Sequence, residues 1–173
     1  MIQVAQNGTE WSGAALKGLA YSASIDYGIP AGGLEALLVR ESSWNINAIS
    51  GAGAEGIAQF MPATSEEWGV DPWNPESAIG GAARYLAWLR FELPTWQAAL
   101  AAYNWGIGNV NRNLGEDGYV PLGCLPMETK NYVQSLAPAF GDRAEGGTGN
   151  PCADSWSPLV VLLAGLLAYR ALS

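Results

Sequence analysis

The residues of this chain best suited to chemistry are carboxylates, and Glu41 stands out among them. It follows Leu34, Leu37 and Leu38 at offsets of seven, four and three residues. In a helix that spacing turns all four side chains to one face. A carboxylate aimed into apolar surroundings keeps its proton above the usual range, because burial disfavours the charged form. Near neutral pH such an acid can protonate a leaving oxygen, as the general acids of sugar-cleaving enzymes do. The plainer reading of the same pattern is a partly exposed Glu at a helix end. Ser42 follows directly, and then a Gly-rich run, 50–62, that contains Gln59. Glycines let backbone approach a ligand closely, and the Gln amide both donates and accepts. Later come Ala102-Tyr103-Asn104-Trp105-Gly106 and Glu128-Thr129-Lys130-Asn131-Tyr132-Val133. Each piece alone is a weak signal, since a lone Tyr103 or Tyr132 is more often core.

Composition narrows the chemistry. The chain has 173 residues and no histidine, which removes Ser-His and Cys-His nucleophiles and His-based metal sites. Carboxylate chemistry gains by that absence, with no metal or cofactor expected. The net charge is −8 and no Lys/Arg cluster occurs, so nucleic acid is not an expected partner. Eight tryptophans are many for this length. Some must be core, but tryptophan also makes flat faces for sugar rings or partners.

The elements that must position these residues read as helices divided by Gly, Pro and Asn. The pattern predicts a helix from about Glu10 to Tyr27, capped by Thr9 and ended by Gly28. A second starts at Pro30 and carries Glu41. A loop spans Asn45 to Gly56, and a short helix follows Met61-Pro62. Asn74-Pro75 caps a helix with Ile79, Ala82, Ala83, Leu86, Leu89 and Leu93 at helical spacing. Thr95 caps the next, which ends near Asn104, and Pro126 starts one that runs through Tyr132 to about Leu136. No segment alternates convincingly with period two, so the expected fold class is all-α, covering residues 1–141.

Taken in order and spacing, the four chemical segments resemble the catalytic domain of soluble lytic transglycosylases, a lysozyme-like family related to goose-type lysozyme. That family carries Glu-Ser, Gly-Leu-Met-Gln, Ala-Tyr-Asn-x-Gly and a tyrosine in a Glu-Thr-x-x-Tyr-Val context. Its Ala-x-Ser-x-x-Gly-Ala-x-Gly lead-in is also here, at Ala48, Ser50, Gly53, Ala54 and Gly56. Asn74-Pro75, Tyr85 and Leu86 match its next helix, and the resemblance covers about residues 20–136. It implies a cleft enzyme acting on peptidoglycan glycan strands. Glu41 would be the sole catalytic acid/base, with Tyr132 hydrogen-bonded to its carboxyl group and Ser42 helping to orient it. Gly56, Ile57, Ala58 and Gln59 would form one cleft wall, with Tyr103 and Asn104 opposite. The family's usual methionine is Ala58 here, so that wall is smaller.

Ordinary retaining and inverting glycosidases set two carboxylates across the scissile bond. Only one falls in these motifs, so the nucleophile would come from the substrate. The resemblance implies cleavage between N-acetylmuramic acid and N-acetylglucosamine, with closure of a 1,6-anhydro ring on the muramic unit. The alternatives are a hydrolytic muramidase in which Glu55 or Asp71 holds a water, and a non-catalytic glycan-binding or structural virion protein.

Residues 142–157 are Gly-, Asn-, Asp- and Ser-rich and read as a linker. The run 158–172 is apolar and reads as a tail helix. From Trp156 to Leu172 there are 17 residues, about 25 Å as a helix and at the lower limit of a membrane span. Trp156, Tyr169 and Arg170 sit where interface anchors would. The expectation is a membrane-inserting tail, or one that packs on virion proteins. The N-terminal residues lack the pattern of a secretory signal. A lytic domain with such a tail would suit a bacteriophage virion part that opens the cell wall during genome entry, acting in the periplasm or cell envelope. Cys124 and Cys152 lack metal spacing and read equally as free thiols or as one bridge.

Overall fold

The computed structural model describes residues 1–146 and Cys152. The chain opens with a small antiparallel hairpin of β1 (Ile2–Val4) and β2 (Glu10–Ser12). Seven α-helices follow among the described residues: α1 (Gly13–Asp26), α2 (Gly33–Ser42), α3 (Pro62–Trp68), α4 (Pro75–Glu92), α5 (Trp96–Trp105), α6 (Ile107–Asn113) and α7 (Met127–Leu136). Short 3-10 turns at Leu122–Cys124 and Ala137–Phe140 flank α7.

The hairpin corrects the all-α expectation to a mostly helical fold. Residues Glu10–Ser12 are strand, and the cap of α1 is the hydroxyl of Ser12, which accepts from Ala15 N at 3.1 Å, in place of Thr9. The turn is Ala5–Gly8, in which Gly8 N donates to Ala5 O at 2.9 Å, and Gly8 at φ +83° is the left-handed residue that closes the hairpin loop. Its alternation runs against the usual sense. Ile2 and Val4 are exposed while Gln3 points inward, so a hydrophobic period of two could not reveal it. The start of α2 also moves, from Pro30 to Gly33, because Gly33 N bonds back to Pro30 O in a turn. Helix α6, poor in apolar residues, was not expected.

The other caps follow local chemistry. Asn74 accepts from Glu76 N and Ser77 N ahead of Pro75, and Thr95 accepts from Ala98 N. Helix α5 is apolar around most of its girth and runs through the middle, packing on α4, α6 and α7. Leu34, Leu37 and Leu38 of α2 are fully buried, each stabilising the fold by about 1.5–3 kcal/mol. The predicted stripe of α4, Ile79 to Leu93, is buried as well. Helices α2 and α7 touch each other, which sets Glu41 against Tyr132.

The Cys124 and Cys152 sulfurs are joined in a disulfide, with Cα atoms 4.8 Å apart. The apolar run 158–172 and most of the segment before it lie outside the described residues. Among the described residues no helix is long and apolar enough to cross a membrane.

Candidate functional site

Glu41 lies in the last turn of α2, one helical turn beyond Leu37 and Leu38, and is half-buried. The Tyr132 hydroxyl of α7 donates to Glu41 Oε1 at 2.5 Å. Burial pushes the Glu41 carboxyl up to about 7. The Tyr132 hydrogen bond and the Arg40 guanidinium pull it down, and the Glu128 charge adds a smaller upward push. Desolvation wins, so the group carries its proton for much of the time at neutral pH. Burial and the Glu41 charge together hold the Tyr132 phenol well above its ordinary range, so it remains a donor. Tyr132 thus engages one of the two carboxyl oxygens, Oε1.

The backbone just beyond Glu41 is unusual. Ser43 and Trp44 both have left-handed φ, +52° and +67°, at a cost of about 1–2 kcal/mol each. The hairpin stabilises this turn. Gln3 Nε2 donates to Trp44 O at 2.8 Å, and Ile46 N donates to Gln3 Oε1 at 3.2 Å. The Ser42 hydroxyl bonds to Ile57 O at 2.7 Å. Ser42 therefore ties α2 to the Gly-rich loop.

That loop is a tight reversal. Glu55 and Phe60 exchange backbone hydrogen bonds around Gly56-Ile57-Ala58-Gln59. Gly56 is obligatory at its position: φ is +71°, and a Cβ would lie 1.9 Å from Pro72 O. Gln59 spends its amide hydrogens on Gly56 O and Ala48 O, at 2.8 and 3.4 Å, and so braces the loop from within. Ile57 and Ala58 are fully buried, so their side chains back the wall without facing solvent. Tyr103 reaches across from α5 and donates to Ala58 O at 3.1 Å. The Glu41 charge helps to raise its phenol, after burial, well above the usual range, which places it beside the carboxyl group. Asn104 is held by the buried Thr129, whose hydroxyl donates to Asn104 Oδ1 at 2.7 Å. This orientation turns the Asn104 amide N–H donors away from Thr129.

The structure thus gathers Glu41, Tyr132, Tyr103 and the Gly56–Gln59 turn. Three contributors went unnoticed in the sequence: Gln3, Thr129 as the support of Asn104, and Glu128 as a charge acting on Glu41. The motif around Thr129 was visible; the contact across 25 residues was not. Glu55 and Asp71 are not among the charges that act on Glu41. Asp71 is exposed and caps its own turn by accepting from Trp73 N at 3.0 Å. Among the described residues no group of three or more acidic or Cys side chains is arranged to hold a metal.

Comparison with known proteins converges on one family. The profile of the Transglycosylase SLT domain matches residues 19–120. Membrane-bound lytic murein transglycosylase F of Alteromonas mediterranea is 35% identical over 99 residues, which is 52% of this chain and 20% of the relative. The same-named protein of Thiobacillus denitrificans is 41% identical over 86 residues, 44% of this chain and 18% of the relative. The chain thus spans about a fifth of the length of these curated relatives. An inactive glutamate-to-glutamine mutant of lytic transglycosylase Slt from Pseudomonas aeruginosa superimposes with TM-score 0.62 at 24% identity, covering 73% of this chain and 23% of that one. The 70-kDa soluble lytic transglycosylase in complex with bulgecin A gives TM-score 0.63 at 23% identity, covering 83% and 27%. At that identity these structures speak to the fold alone.

Proposed function

Because the chain belongs to the Transglycosylase SLT domain family, we propose that it is a peptidoglycan lytic transglycosylase with Glu41 as its single acid/base. The observation that carries this reading is one half-buried carboxyl, raised to about 7 and held by a tyrosine hydroxyl. Glu41 donates its proton to the oxygen between N-acetylmuramic acid and N-acetylglucosamine as the bond to the muramic C1 breaks. The resulting carboxylate then takes the proton of the muramic C6 hydroxyl, and O6 closes on C1. A 1,6-anhydro ring forms, no water is consumed, and Glu41 regains its proton. Tyr132 positions the carboxyl group, Tyr103 and the Gly56–Gln59 turn wall the cleft, and Asn104 offers amide donors to the glycan.

A second reading has an observation of its own. Glu128 is exposed at the first turn of α7, and its charge acts on Glu41. A second carboxylate there suits a water-holding base and a hydrolytic muramidase. Mass spectrometry of digested peptidoglycan separates the two. Anhydro-muramic ends are expected; reducing muramic ends in a clean digest would overturn the transglycosylase reading in favour of hydrolysis.

The substrate lies in the cell envelope, where we place the site of action. The matched relatives are named as membrane-bound murein transglycosylases. For the apolar run 158–172 the proposal is contact with a membrane or with virion proteins, suited to local wall opening during phage entry. Liposome flotation of the full chain against one lacking residues 155–173 tests the membrane arm: only the full chain should float, and joint sedimentation would reject it.

A further inference from the structure

Beside the carboxyl site, Tyr103 leads into a cluster of partly exposed aromatic rings, Tyr85, Trp88 and Trp68, that the proposed bond cleavage does not use. The Tyr103 ring lies 5.4 Å from that of Tyr85, and Tyr85 stacks on Trp88 at 5.9 Å with planes 16° apart. Trp68 closes a three-ring cluster, 5.0 Å from Tyr85 and 5.4 Å from Trp88. The last turn of α3 supplies Trp68, and one turn of α4 supplies Arg84, Tyr85 and Trp88. Buried Phe60 lies behind Tyr85 and Tyr103 and seats them on the core. The far end opens into a surface cavity of about 450 Å³ lined by Glu67, Trp68, Arg84 and Trp88. The Arg84 guanidinium donates to the Trp68 carbonyl and lies 5.7 Å from its ring centre. That contact fixes the indole and sets a cation on the rim, while Glu67 adds a carboxylate to the same rim.

These features match a sugar ring. A pyranose offers a C–H face to aromatic rings and a hydroxyl edge to charged hydrogen-bonding groups. The cavity has the size of a small-molecule site. Core packing alone does not account for it, since Trp68, Tyr85 and Trp88 all keep exposed surface. The cluster adjoins the Glu41 site through Tyr103, whose ring lies against that of Tyr85. Resting on the reading that Glu41 cleaves a glycan, we propose that Trp68, Trp88, Glu67 and Arg84 form a remote site for the same strand, one that takes a sugar unit beyond those at Glu41. The site favours long strands over short fragments.

The test uses the full chain carrying Glu41→Gln, which binds without cutting. It is titrated with N-acetylated β-1,4 glycan oligosaccharides of increasing length, read by calorimetry and tryptophan fluorescence. Affinity should rise about tenfold once the oligomer reaches Trp88, with a fluorescence change at that length. Adding Trp88→Ala should remove this step and leave short oligomers unaffected. Arg84→Gln, which keeps every ring, should shrink the step and serves if Trp88→Ala fails to fold. An affinity independent of length, or an equal loss for short and long oligomers, overturns the remote site. Binding of short oligomers with no length step leaves the Glu41 reading standing; binding of none at any length overturns both.

Discussion

Two places among the described residues pair a carboxylate with a tyrosine hydroxyl, and their surroundings differ. Tyr132 donates to Glu41 at 2.5 Å, and Tyr119 donates to Asp142 at 2.7 Å. Asp142 has three donors in all. It also accepts from Gln97 N at 3.0 Å and Arg143 N at 2.8 Å, beside the ion pair of Arg143 with Asp117. It pins the last described turn to the start of α5, next to Gln97, whose amide clasps Val120 in both directions. Glu41 instead continues an apolar stripe and receives one side-chain donor. A carboxylate rich in donors is a fastening; one short of donors and water retains its proton and can pass it on.

The comparison breaks most sharply at Glu41→Gln. Activity on peptidoglycan should fall by roughly two to four orders of magnitude, as for loss of a general acid. The fold should persist. A carboxyl raised from 4.5 to about 7 makes the folded state bind protons more tightly than the unfolded one. Its contribution to stability is therefore full below about pH 4.5 and is lost as pH rises through 7. Above pH 7 the Gln variant should match or exceed wild type in melting temperature, by an amount worth roughly 1–2 kcal/mol after solvent screening. Asp142→Asn should show the converse: about 1–3 kcal/mol of lost stability with activity per folded molecule retained. Denaturant titration with a gel-clearing assay reads both, and a stable, inactive Asp142→Asn would dissolve the distinction.

Tyr132→Phe comes next, with a loss of roughly tenfold in kcat and little change in KM. The hydroxyl favours the charged form of Glu41, so its removal should move the alkaline limb of the pH–rate profile to higher pH. An unchanged profile would make Tyr132 a core residue only. Reducing Cys124–Cys152 opens a loop of separation 28 and should cost about 3–4 kcal/mol by chain entropy, with no direct effect on the site. Thiol titration of the denatured, unreduced protein should find no free thiol at these two positions. The smallest effect belongs to Thr129→Val, which frees the Asn104 amide to rotate. KM should rise by a few fold, and Thr129→Ser should restore it.

The helix that carries Glu41 was legible because its signal is local. The stripe that ends at Glu41 has helical period, and Asn74-Pro75 and Thr95 are caps whose chemistry acts within three residues. The Glu41–Tyr132 pair was legible only through resemblance, since 91 residues separate the partners. The rest depended on tertiary contacts that no window contains. Gln3 holds the turn at Trp44 from 41 residues away, and the hairpin that carries it half-buries polar Gln3 while exposing Ile2 and Val4. Helix α6 is Asn-rich, and its membership of the body comes from packing on α5.

The central claim is that burial keeps the Glu41 proton available at neutral pH, and site-resolved carbon NMR of the glutamate carboxyls tests it most directly. The account predicts that the Glu41 carboxyl, identified by its loss in Glu41→Gln, titrates with a midpoint near 7 and shifts upward in Tyr132→Phe. A midpoint at the ordinary glutamate value near 4.5, unmoved by Tyr132→Phe, would contradict it.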